Sequence, residues 1–296
     1  MILDETIHRR RQPACMHKIR MRRLAASKGI MLVEIMIGIT VSLYVFSLLV
    51  SAYLACWRSQ HIQSALQDIQ ANAFTIAQIL KSEINKAGRV GCAHLSGDFP
   101  VRSFQGFNLT PATRLTGNSA QEFTVRYAGY PSARLLAPMS DDNRLMADAG
   151  VSLASGDMAI ISNCRHAEIF RVDRVIRVQG RQIIVSTLPL HDRYEKHSEI
   201  SRLEINRYSV RQTGRNERDG KPVSALFLED INHRHFELST GINGMRIRYT
   251  VSQSGHTADL PAHEVTDWSQ VTGVGFALEL ASSAISKTWY VYAYLQ

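Results

Sequence analysis

The sequence predicts an α+β protein in which one long N-terminal helix precedes a β-rich head. Three observations carry this expectation. Ile30 to Ala55 is an apolar run of 26 residues whose only charged member is Glu34. From Arg58 to Lys86 there is no Gly or Pro, and apolar residues recur at helical spacing. After Cys92, alternating or β-branched runs are separated by clusters of Gly, Asn, Asp and Pro. The chain therefore divides into a basic segment at 1–29, an apolar helix at 30–57, an amphipathic helix and its end at 58–91, and a head at 92–296.

The basic segment accounts for most of the charge. The full chain of 296 residues has 34 Lys and Arg against 26 Asp and Glu, a net charge of +8. Eight of those cations and only Asp4 and Glu5 lie before Ile30, so the remainder carries 26 basic against 24 acidic residues, a net +2. A high isoelectric point that resides in a leader argues poorly for nucleic-acid binding and fits positive charge kept on the cytoplasmic side of a membrane. Met16 and Met21 are alternative starts that would shorten this segment, and a start at either would also remove Cys15.

The apolar run is long enough to span. At about 1.5 Å per residue it makes roughly 39 Å of helix, against a hydrocarbon core of about 30 Å. A charged carboxylate inside such a helix costs on the order of 3 kcal/mol. Glu34 is therefore expected near the interface or beside a cation. Trp57 and Arg58 suit the far interface as an aromatic anchor and a positive end. Beyond them, Ile62, Leu66, Ile69, Ala73, Ile76, Leu80 and Ile84 make one apolar stripe of an amphipathic helix. Gly88 reads as its stop, with Lys81 and Lys86 in the last turns.

The junction Gly29-Ile30-Met31-Leu32-Val33-Glu34, a basic segment ending in Gly and then an apolar helix with Glu as its fifth residue, resembles the processing site of type IV prepilins and pseudopilins. The resemblance implies a ladle-shaped pilin-like fold, cleavage by a prepilin peptidase after Gly29, and methylation of the new amino terminus at Ile30. It also implies a helix that serves first as a single-pass inner-membrane anchor, with the C-terminal head in the periplasm, and later as the core of a filament. Cleavage would place an ammonium one turn from Glu34, which would then set the register of assembly. The stretch Leu80-Lys81-Ser82-Glu83-Ile84-Asn85-Lys86-Ala87-Gly88-Arg89-Val90-Gly91-Cys92 is similar to the helix end of PilW-type minor pilins. Departures exist: Ile30 stands where Phe or Tyr is usual, and the terminal Tyr292-Ala293-Tyr294-Leu295-Gln296 lacks the usual Arg-Asn ending.

The function so implied is assembly of a type IV pilus serving motility, adhesion or DNA uptake, with no enzymatic activity and no cofactor. Its partners would be prepilin peptidase, the major pilin and other minor pilins, the inner-membrane assembly platform and the lipid bilayer. A minor pseudopilin of a type II secretion system is the nearest alternative. More distant are a signal-anchored periplasmic protein, in which Glu34 is incidental, and a lipoprotein cut before Cys56, for which Tyr53-Leu54-Ala55-Cys56 is a poor box.

Of four cysteines, only Cys92 and Cys164 fall in the segment that would be exported. In an oxidising compartment such a pair reads most economically as one disulfide, with two free thiols as the alternative. The head is expected to hold strands at Phe123–Tyr127, Met158–Ile161, Ile169–Val178, Gln182–Thr187, Glu199–Val210, Ala225–Leu228, Met245–Val251, Val274–Leu280 and Trp289–Leu295, with a hairpin near Gly180. Thr213–Pro222 and Gln253–His263 are expected as exposed loops.

No GxSxG, P-loop, HExxH or Gly-rich dinucleotide motif occurs. His233 and His235 could share one face of a strand, but are expected in a loop and not as metal ligands. Asp141, Asp142, Asn143 and Asp148 lack EF-hand spacing and read as a solvated loop. Arg171, Arg174 and Arg177 alternate with Asp173 along a strand, so nucleic acid enters as a partner without support from any motif.

Overall fold

A computed structural model describes residues 30–95, 98–216, 220–253, 255–282 and 285–295. The helix α1 runs from Ile30 to Lys86. Seventeen strands follow among the described residues. The first seven are β1 (Arg89–Val90), β2 (Ala93–His94), β3 (Val101–Arg102), β4 (Leu115–Ser119), β5 (Glu122–Ala128), β6 (Ala133–Arg134) and β7 (Arg144–Asp148). Next come β8 (Met158–Ser162), β9 (Ala167–Val178), β10 (Arg181–Ser186), β11 (Glu199–Asn216), β12 (Pro222–Glu229) and β13 (His235–Thr240). The last are β14 (Ile242–Gln253), β15 (His256–Leu260), β16 (Val271–Ser282) and β17 (Ile285–Tyr294). The layout is one long N-terminal helix followed by a β-rich domain. By compactness the chain divides after Arg58, so the second part of α1 belongs to the same unit as the strands.

Within Ser59–Gln296, an 18-residue strand organises the larger sheet. The first residues of β11, Glu199–Arg202, pair with β8, and Leu203–Ser209 pair with β5. On the edge opposite β5 the strand takes β12 from Arg207 onward. Beyond β8 the sheet continues through β9 and β10 to β7. The β9–β10 hairpin closes with Val178 opposite Arg181, and Gln179 and Gly180 both have positive φ, 44° and 76°. That is the tight turn whose twist matches its strands, centred where the sequence places it. A separate four-stranded antiparallel sheet runs β15-β14-β16-β17.

The largest core forms where α1 meets these strands. Ile69, Ala73, Ile76, Leu80 and Ile84 are buried against Phe123, Tyr208, Met245, Tyr249, Phe276 and Leu278. Burying each aliphatic side chain contributes about 2 kcal/mol. Cover for the stripe is incomplete at its start: Leu66 is half-buried and Ile62 is 52% exposed. Gly88 ends the helix with φ +78°, and its N–H donates to the Arg126 carbonyl at 2.9 Å, so the reversal is pinned directly to β5.

One acidic side chain lies inside this core. Glu83 is 9% exposed, and its carboxylate accepts from Lys86 Nζ at 2.7 Å and from the Tyr127 hydroxyl at 2.9 Å. Asn206 Nδ2 donates to the same hydroxyl at 3.1 Å. Burial first, and the Glu83 charge second, push the Tyr127 and Tyr208 phenols well above their ordinary range. Both stay neutral and able to donate.

The structure corrects several expectations. Thr213–Asn216 is not a loop but the end of β11, and β12 begins already at Pro222. Gln253–His263 is not a loop throughout: His256–Leu260 form β15, paired with β14 from Tyr249 to Gln253. Both segments are exposed edges held by backbone pairing, so neither carries the apolar alternation that marks a strand. His235 opens β13 instead of lying in a loop, whereas His233 sits in a turn at φ +60° with Nδ1 2.8 Å from Glu229 Oε1. Asp148 belongs to β7 and accepts the Arg134 and Gly150 amides.

Glu83→Ala is expected to destabilise the protein by about 2 kcal/mol, because it leaves a buried donor without its charged acceptor, while Glu83→Gln, which keeps an acceptor, costs less. Urea unfolding of the three proteins measures both. Equal midpoints for Glu83→Ala and the parent chain would remove the network from the account of stability.

Candidate functional site

The N-terminal part of α1 is unlike any other surface of the protein. Every side chain described from Leu32 to Arg58 is exposed, including Leu32, Ile35, Phe46, Leu49 and Trp57. Soluble surfaces do not carry a continuous apolar patch of this extent. The segment is long and apolar enough to cross a membrane. Two of its hydroxyls are satisfied internally: Thr40 Oγ1 donates to the Ile37 carbonyl at 2.9 Å and Ser51 Oγ to the Leu48 carbonyl at 2.8 Å. Back-bonding of this kind leaves those groups without need of water.

Glu34 interrupts this surface. It is exposed, one turn into the described helix that Ile30 opens, and no described residue pairs with it. Gly29 and the basic leader lie outside the described residues. Cys56 is a free, exposed thiol on the same segment.

The second feature is covalent. Cys92 lies in the turn between β1 and β2, just after the helix end, and Cys164 in the turn between β8 and β9 at φ +65°. Their sulfurs are bonded, with Cα atoms 5.5 Å apart across 72 residues of sequence. The turns fit closely: a Cβ at Gly91 would come within 3.1 Å of the Glu199 carboxylate and 3.4 Å of Ser162 Cβ.

Elsewhere several ionisable groups are tied into the fold. The buried Glu168 carboxylate accepts the His191 amide at 3.1 Å and lies 2.8 Å from His191 Nδ1, clamping the segment after β10 onto β9. Arg177 donates to the Leu153 carbonyl at 2.8 Å, and Arg202 to Asp157 at 2.7 Å. No group of three or more His, Cys, Asp or Glu is placed to hold a metal ion among the described residues. Comparison with known proteins returns no matching family, no similar curated protein and no similar solved structure.

Sequence reasoning missed Glu83 as a structural group, although it stands in the Leu80-Lys81-Ser82-Glu83 motif at the helix end. The signal available was a lone acid between Leu80 and Ile84 on the apolar stripe. It could have been read as a buried partner for tyrosines.

Cys92→Ser is expected to lower stability by about 2–4 kcal/mol, since a bridge over this separation removes loop entropy from the unfolded chain. Urea midpoints with and without reductant check it: reductant should shift the parent chain toward the variant and leave the variant unmoved.

Proposed function

We propose that the chain is a minor pilin of the PilW type, cut by prepilin peptidase after Gly29 and incorporated with other minor pilins and the major pilin to prime or cap a type IV pilus. The observation that carries this reading is the exposed apolar helix with a carboxylate at Glu34 that has no partner among the described residues. A carboxylate in an apolar setting calls for a cation, and cleavage after Gly29 would create one at Ile30, on the same subunit or its neighbour. The disulfide between Cys92 and Cys164 supports an oxidising compartment for the head.

The mechanism is polymerisation without turnover. Before assembly the apolar helix is covered by lipid, and the head lies in the periplasm. In the pilus, facing helices replace the lipid, so apolar cohesion holds the filament while the Glu34–ammonium pair sets axial register. The inner-membrane assembly platform supplies the step between the two states.

Intact-mass analysis of membrane-extracted protein tests the reading. A chain beginning at Ile30, with or without one added methyl, should appear only in a host that makes prepilin peptidase, and Gly29→Ala should leave the full-length precursor. An uncut chain in both hosts would make the helix a signal anchor, and a lipid-modified chain beginning at Cys56 would make the protein a lipoprotein.

Glu34→Ala should be processed normally yet enter sheared pili poorly, since an ammonium left unpaired in apolar surroundings costs on the order of 3 kcal/mol. Normal incorporation of that variant would remove Glu34 from the register role.

A further inference from the structure

The sheet β15-β14-β16-β17 has two unlike faces. Met245, Ile247 and Tyr249 of β14, and Val274, Phe276 and Leu278 of β16, point inward and are buried in the core with α1. Alternation puts the intervening residues on the outer face. There the register sets three rungs across β14, β16 and β17. The first is Arg246, Ala277 and Tyr290, the second Arg248, Gly275 and Tyr292, and the third Thr250, Gly273 and Tyr294.

Each rung has a polar residue on one flank, almost no side chain in the middle and an aromatic ring on the other flank. The middle strand is therefore a low floor between two walls about 10 Å apart. Over the first two rungs the result is a trough of about 510 Å³, bounded beyond β14 by Asp259 and Pro261. That volume falls in the range that takes a drug-sized ligand.

The aromatic wall is held in place. Tyr292 leans across Gly273, where a Cβ would collide with its hydroxyl oxygen, and donates to Thr250 Oγ1 at 2.6 Å, which closes the third rung. Tyr294 packs edge-on against it, with ring centroids 4.6 Å apart. Tyr290, 78% exposed, stands beside them with its ring in solvent. Of these rings Tyr292 is preset by its contacts, and a ring so fixed binds with less loss of entropy than a flexible side chain.

Charge decides the class of ligand. Arg246 lies 3.4 Å from Glu279, Arg248 donates to the Asp259 carbonyl at 2.7 Å, and the Asp259 carboxylate accepts from Thr250 Oγ1. Two guanidinium groups and two carboxylates share this face, so their formal charges cancel and the trough offers little net field to a nucleic acid or an acidic peptide. What it offers is ring faces for C–H bonds, together with donors and acceptors for hydroxyls.

We propose that this trough binds a neutral oligosaccharide, with pyranose faces on Tyr290 and Tyr292 and hydroxyls bonded to Arg246, Arg248 and Asp259. The assignment rests on the sheet alone and is independent of the pilin reading.

The test is calorimetric titration of the full chain, in a zwitterionic detergent without a sugar headgroup, with cellohexaose, chitohexaose, maltohexaose and xylohexaose. At least one should bind saturably, with an affinity that changes little with added salt. Tyr290→Ala should weaken it about tenfold or more. Gly275→Ala should weaken it by raising the floor while leaving the urea midpoint intact, because a Cβ there meets only ordinary contacts at 3.6 and 3.9 Å. Failure of all four sugars to bind would overturn the proposal, as would undiminished binding by Gly275→Ala. Preferential, salt-sensitive binding of an oligothymidylate would overturn it in favour of a polyanion site.

Discussion

Burial of one stripe of α1 is the constraint on which the rest of the β-rich unit depends. Ile69, Ala73, Ile76, Leu80 and Ile84 supply one side of a core whose other side comes from two different sheets, through Phe123 and Tyr208 on one and Met245 and Phe276 on the other. The two sheets share no strand, so the helix is the element they have in common. Remove it, and both sheets would lose the apolar cover that Ile69 to Ile84 provide. Helix packing here is a condition of the sheet arrangement, and intrinsic helix propensity is secondary to it.

A buried acid in such a core is costly unless fully partnered, which makes Glu83 informative. An aliphatic residue would pack there with less penalty, but it would tolerate sliding of the helix along the sheets. The bond from Tyr127 of β5 holds for one axial position and one rotation of α1, while Lys86, on the helix itself, neutralises the same carboxylate. A few residues later Gly88 bonds to Arg126, and Cys92 is bonded to Cys164. Three different kinds of bond thus fix the same end of the helix within ten residues of sequence. That end is where a load carried along the helix would enter the strands.

Much of this was legible because it followed period. The stripe from Ile69 to Ile84, the stop at Gly88 and the turn at Gly180 each combine an apolar repeat or a glycine with one conformation that satisfies it. What escaped offered little apolar pattern to read. Strand β15 is exposed along His256–Asp259, β13 along His235–Glu237, and β7 alternates over only five residues. Thr213–Asn216 carries Gly214 and Asn216, residues that read as turn, yet its neighbour β12 supplies the partners that keep it extended. The trough was invisible for a related reason. Its rungs join residues far apart in sequence, and only the register of three strands brings Arg246, Ala277 and Tyr290 into a row.

The two parts of α1 meet opposite demands with one secondary structure. From Ile69 onward the helix shows strands a narrow apolar stripe and keeps a polar face for water. Before Arg58 it is apolar all round, a pattern stable only where water is absent on every side. A helix is the one local structure that satisfies its own backbone in such a setting, and the hydroxyls of Thr40 and Ser51 join that internal bonding. Lipid and a bundle of like helices are equivalent in this respect, since each covers apolar side chains and neither competes for hydrogen bonds. Glu34 breaks the equivalence. In lipid it gains from lying at the interface, whereas among packed helices it needs a cation at a defined height, so a single carboxylate can make one of two otherwise similar environments depend on register.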